Sequence, residues 1–124
     1  MLSRVKRIAF SGLSLAIAQA SLAGGDPEQG QRLYQNRCGA CHSLDANRVG
    51  PRHRGIFGRR AGVVPEYVYS RALRDSSVVW SEDTLERWLE NPEALVPGQR
   101  MYFRVTAAAD RASIIAYLKL ESAP

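Results

Sequence analysis

Hydrophobic and polar positions along this chain change their pattern several times, and each change predicts an element. The first residues, MLSRVKR, carry three basic side chains and no acid. An apolar run from Ile8 to Ala18 follows, and then small residues at Ser21-Leu22-Ala23. This is the order of a secretory leader, and the apolar run falls short of the ~20 residues that a spanning helix needs. We expect a leader over residues 1–23, cleaved after Ala23, and a single domain over 24–124. Cleavage after Ala20 and retention as an anchor are the alternatives.

Further along, Asp26 precedes Pro27 and Glu28, the sequence of a helix cap, first helical residue and acidic first turn. Leu33 and Tyr34 supply an apolar face, so a helix is expected from Pro27 to about Cys38. From Ser43 to Tyr67 neither a period of 2 nor one of 3.6 holds. The text, including GPRHRGIFGRRAGVVPEY, is rich in Gly, Pro and Arg and reads as irregular loop. A short helix is expected in SRALRDS. SEDTLERWLENP predicts a well-formed helix, with Ser81 as cap, acids in the first turn, Leu85, Trp88 and Leu89 on one face, and Asn91-Pro92 as the stop. EALVPGQRMYF reads as loop around a Pro97-Gly98 turn. ADRASIIAYLKLE closes the chain as a helix with Ile114, Ile115, Tyr117 and Leu118 on or near its buried side. Long loops between terminal helices usually need something to wrap around, so this organisation already asks for a cofactor.

Charge changes the picture less than it first suggests. The 124 residues carry a formal +5, but Arg4, Lys6 and Arg7 belong to the leader. Without them fourteen basic residues face twelve acids, a net +2. The basic character is therefore largely that of an export signal and gives no support to nucleic-acid binding. Arginines gather at 48, 52, 54, 59 and 60, and acids at 82, 83, 86, 90 and 93, a pattern that fits either a dipolar molecule docking on a charged partner or simply a well-solvated surface. No repeat or low-complexity segment is present.

The chemistry lies in NRCGACH. Both cysteines, Cys38 and Cys41, and one of the two histidines, His42, fall within five residues. A zinc site would need four ligands, formally Cys38, Cys41, His42 and His53, but His42 directly follows Cys41 and is poorly placed to share a metal with both thiolates. A redox dithiol wants a βαβ context, which is missing, and a plain disulfide leaves His42 unexplained. The C-x-x-C-H spacing fits covalent haem attachment. Two thiols three apart on a helical turn reach the two vinyl groups on one porphyrin edge, and the next residue directs its imidazole at the iron. For the opposite face the candidates are Met101 and His53. Met101 follows a turn and is followed by Tyr102 and Phe103, which could shield a haem edge, so we favour it. A thioether ligand suits electron transfer.

These residues, with GQRLYQNRCGACH, GPRHRGIFGRRAG, YVYSRAL, WSEDTLERWLENP, PGQRMYF and RASIIAYL in order, closely resemble class I c-type cytochromes of the mitochondrial and bacterial soluble type over residues 26–120. The resemblance implies an all-α fold of about four to five helices with long loops around one covalently attached haem c, the N- and C-terminal helices crossing. It implies a close approach at Gly30 and Tyr34 near Tyr117, and a carbonyl at Pro51 for the axial histidine's N–H. It further implies that Arg59, Tyr69 and Trp80 meet the haem propionates and that Trp88 lies beside the methionine sulfur. The chain departs from the pattern in a short segment between His42 and Gly50, in His53 where a leucine is usual, in Gln99-Arg100 before the methionine, and in the near absence of lysine. The function implied is a mono-haem, soluble, monomeric electron carrier of the periplasm that acts on redox protein partners. The alternatives are a haem enzyme or ligand sensor with a displaceable sixth ligand, and a dedicated subunit of one dehydrogenase.

Overall fold

A computed structural model describes residues 24–124; the leader expected over residues 1–23 lies outside them. Among the described residues there are five α-helices and no strand: α1 Pro27–Leu33, α2 Arg71–Arg74, α3 Glu82–Glu90, α4 Pro92–Leu95 and α5 Ala108–Leu120.

The caps explain where these helices begin. The Asp26 side chain accepts the Glu28 N–H at 2.9 Å, with Pro27 opening the helix. At α3, Ser81 and Thr84 each accept the other's backbone N–H, at 3.2 and 2.8 Å, a reciprocal cap of the kind that typically adds about 1 kcal/mol. The first expected helix needs a correction. Its α-helical part ends at Leu33, and Tyr34–Cys38 continue as one widened π turn, in which the Gly39 N–H reaches back to the Tyr34 carbonyl at 3.0 Å. A second correction concerns 93–103. Asn91 ends α3 and also caps α4, its side chain accepting the Ala94 N–H at 3.3 Å. Pro92, which cannot continue one helix, is well suited to start the next.

The terminal helices cross as the resemblance implied. Gly30 faces the Ser113 carbonyl so closely that a methyl group on it would overlap that oxygen and press on Tyr117. The Asp26 N–H donates to Ser113 Oγ at 3.1 Å, the Tyr34 and Tyr117 rings lie 5.4 Å apart, and Arg37 pairs with Asp110 at 2.9 Å. Arg111, almost fully buried on α5, donates to Glu86 of α3 at 2.6 Å and to the carbonyls of Val105 and Thr106. Between these helices the segment from Ser43 to Tyr67 is loop, as expected. It is held to the approach of α3 by an isolated antiparallel bridge between Arg60 and Val79 and by the Trp80 N–H donating to the Arg59 carbonyl at 2.9 Å. The core formed by Leu33, Ile56, Trp80, Leu85, Trp88, Val105, Ile114 and Leu118 wraps one large cavity.

Candidate functional site

The π turn sets the geometry of the C-x-x-C-H segment. Its last residue is Cys38, whose carbonyl accepts both the Cys41 N–H at 3.1 Å and the His42 N–H at 2.9 Å. This local closure turns Cys38, Cys41 and His42 into the same cavity. Neither cysteine is in a disulfide. Burial pushes the Cys38 thiol up to about 11, so it is neutral at physiological pH. Arg48 folds over this segment, its guanidinium donating to the Gly39 carbonyl at 2.5 Å with longer contacts to those of His42 and Ala40. Sequence reasoning counted Arg48 only within a charge cluster; no local signal assigned it to this carbonyl group.

His42 is fixed on two sides. Its Nδ1 lies 2.8 Å from the Pro51 carbonyl. A carbonyl only accepts, so Nδ1 carries the proton and Nε2 keeps its lone pair for a metal. Behind the ring is Gly50, where any Cβ would overlap the imidazole. Burial holds the His42 pKa below the ordinary value, against the opposing hydrogen bond to Pro51, so the ring stays neutral and able to ligate.

His53 proves to be part of the same wall. Its ring stacks on that of His42, centroids 4.0 Å apart, and its Nδ1 is 3.0 Å from the Tyr34 hydroxyl. Burial, with His42 and Arg59 nearby, drives its pKa well below the usual range. The residue that departs from the expected leucine is therefore an uncharged, hydrogen-bonded ring. Its polarity is satisfied by Tyr34, nineteen positions earlier.

The cavity has a volume of about 1040 Å³, at the top of the range of about 300–1,000 Å³ for small-molecule sites. Met101 lines it together with Cys38, Cys41 and His42, and Trp80 and Trp88 form an edge-to-face pair in its wall, ring centroids 5.3 Å apart. Arg59 and Tyr69 line it too. Arg59 donates to the carbonyls of Arg54 and Arg52 at 3.0 and 2.9 Å, and the Tyr69 hydroxyl accepts the Val64 N–H at 3.1 Å. Among the described residues no carboxylate pairs with Arg59, and partial burial lowers its pKa. A half-buried guanidinium without a counter-charge is costly, and an anionic group from a ligand would relieve it. No three His, Cys, Asp or Glu side chains among the described residues converge on a bare metal ion. The donor set, the large apolar space and Arg59 without a counter-charge instead fit a flat macrocycle with acidic substituents and a metal at its centre. Gln99, noted in the sequence only as a departure, is buried and accepts the Met101 N–H with its side-chain oxygen.

Comparisons with known proteins agree with this geometry. The family model described as Cytochrome c matches residues 27–120. Cytochrome c of Euglena viridis is 44% identical over 98 residues, covering 77% of this chain and 96% of that protein. Cytochrome c2 of Rhodomicrobium vannielii is 37% identical over 116 residues, 90% of this chain and 92% of that one. Among solved structures, cytochrome cH from Methylobacterium extorquens superposes with a TM-score of 0.73 at 36% identity, covering 77% of this chain and 99% of that chain.

Proposed function

Because this chain belongs to the cytochrome c family, we propose that it is an exported, mono-haem electron carrier whose iron is ligated by His42 and Met101. That it is a haem c electron-transfer protein follows from the family. The remainder rests on this chain's own residues. When bound, the haem supplies a one-electron iron couple. The chain's part is to hold and shield it. Cys38 and Cys41 would anchor it as thioethers, and the single C-x-x-C-H in the sequence implies one haem per chain. Pro51 keeps the proton of His42 on Nδ1, and Arg59, with Tyr69 and Trp80, would face the propionates. Trp88 would help exclude water.

The observation that carries the ligand assignment is the stack of His53 on His42. Two imidazoles in face-to-face contact leave no room for an iron between them. His53 thus supports the ligand's wall, and the remaining sulfur in the cavity is that of Met101. A thioether in the sixth position raises the potential and closes the iron to small molecules.

Export to the periplasm is supported by the basic, apolar and small-residue order of residues 1–23, the domain then spanning 24–124. No helix among the described residues is long and apolar enough to cross a membrane. The partners are redox proteins, with this chain acting as a monomer. The test is an optical spectrum of the exported protein, oxidised and reduced, beside that of Met101→Ala. We expect c-type bands in both and the weak long-wavelength sulfur-to-ferric-iron band in the wild type alone. A wild type without that band would put an open or displaceable sixth position in place of this reading.

A further inference from the structure

The backbone of Met101 is anchored by two side chains that do not themselves line the cavity. Gln99 is only 1% exposed, and its side chain folds back on its own loop. Its oxygen accepts the Met101 N–H, while its amide nitrogen donates to Glu93 Oε2 at 3.3 Å. The other carboxylate oxygen, Glu93 Oε1, accepts the Gly98 N–H at 2.9 Å. One carboxylate on α4 therefore holds both Gly98 and Gln99 at the Pro97-Gly98 turn, which Gly98 makes possible at φ +89°. The flanks are pinned as well. Arg104 donates to Asn91 Oδ1 at 2.9 Å, and the Val105 N–H to the Leu89 carbonyl at 2.8 Å. Arg100, Met101, Tyr102 and Phe103 line the cavity between these fixed points.

A buried primary amide is costly unless paired, and hydrogen bonds to a carboxylate are stronger than neutral ones. This arrangement thus fixes the Met101 backbone independently of any bond made by its sulfur. We propose that Glu93 and Gln99 form a clamp that positions Met101 and sets how readily its sulfur yields the iron to an incoming ligand. The proposal rests on Met101 being the sixth ligand. When the iron–sulfur bond breaks, the clamp keeps the thioether poised to rebind. When the clamp is cut, the loop drifts and a competitor gains. The exchange is a substitution in which one donor leaves the ferric iron and another binds, with no change of oxidation state.

Imidazole titration of the ferric holoprotein, followed by loss of the sulfur-to-iron band, tests this in wild type, Glu93→Ala, Gln99→Ala and the double variant. Each single change should raise the apparent imidazole affinity roughly tenfold, since each removes at least the charge-assisted bond between Gln99 and Glu93. The double variant should add little, because both changes open the same ring. Amide exchange at Met101 should accelerate in parallel. Glu90→Gln, an exposed acid on the neighbouring helix, should leave both readouts unchanged. Imidazole affinity within about twofold of wild type in Glu93→Ala, with the sulfur band intact, overturns the clamp. Glu93 is on the surface, so its variant decides the matter even where Gln99→Ala fails to fold. A wild type lacking the sulfur band overturns the Met101 assignment itself, and the two failures are thereby told apart.

Discussion

The imidazole planes of His42 and His53 are 23° from parallel, and the outer ring is tied to the Tyr34 hydroxyl, so three side chains from two segments form one layered wall. The wall is polar in composition, with Tyr34 hydrogen-bonded to His53 and His42 to the Pro51 carbonyl.

Removing one member should cost more than removing both. His53→Leu leaves the buried Tyr34 hydroxyl without its partner and should destabilise the holoprotein by about 1–3 kcal/mol. Adding Tyr34→Phe should recover most of that loss, since the unpaired hydroxyl is then gone as well. Denaturant unfolding of His53→Leu, Tyr34→Phe and the double variant measures it. Equal or additive losses would show that the hydrogen bond is incidental.

Gly30→Ala should be among the most damaging single changes outside the cavity. The added methyl meets the Ser113 carbonyl, which belongs to a helix backbone and cannot move alone. We expect a loss of about 3 kcal/mol or more, with the c-type spectrum retained at low temperature. Thermal unfolding of the haem-loaded protein decides it.

The pH dependence in acid should carry the mark of Asp45. Arg54 bridges Asp45 at 2.5 Å and Glu121 at 2.6 Å, tying the loop after His42 to the end of α5. Its hydrogen bond holds the Asp45 carboxyl below the usual carboxylate range. A carboxyl depressed in the folded state adds stability above its unfolded pKa of about 3.9, and that stability disappears as pH falls through the folded value. Asp45→Asn should therefore melt earlier at neutral pH and show a flatter decline below about pH 4. Both partners are in solvent, so the effect is small and should shrink with added salt.

Docking should depend on ionic strength through arginine. Val49, Val68 and Tyr102 are 73, 83 and 82% exposed at the cavity, where Arg48, Arg60 and Arg100 also lie. Electron-transfer rates with an acidic partner should fall on the order of tenfold as the Debye length contracts from about 30 to 10 Å. Arg100→Glu should lower the low-salt rate and flatten the curve. Rates flat with salt in the wild type would exclude steering by this rim.

Features encoded by neighbouring residues were legible in the sequence. Asp26-Pro27 and Ser81 announced helix starts without tertiary help, and the C-x-x-C-H spacing announced a cluster that faces one cavity. The crossing of the terminal helices came through the family resemblance, because Gly30 alone is only a poor helix former. The π turn at Tyr34–Cys38 was not legible, since nothing in YQNRC distinguishes it from another turn of α-helix. Helix α4 was missed because Asn91-Pro92 serves as the end of one helix and the start of another. The links from Gln99 to Glu93 and from His53 to Tyr34 depend on how loops fold back, and side-chain identity does not encode that.

The crossing at Gly30 and Ser113 also sets an order in time. Ile114 and Leu118, from the last helix, form part of the cavity wall that the early C-x-x-C-H segment faces. A chain emerging N-terminus first thus presents its cysteines long before the opposite wall exists. The cavity is walled on that side only when the final turns arrive. Closing so long a stretch of chain costs entropy before its contacts repay it, and losing the last two turns of α5 would remove a side of the site as well as a helix.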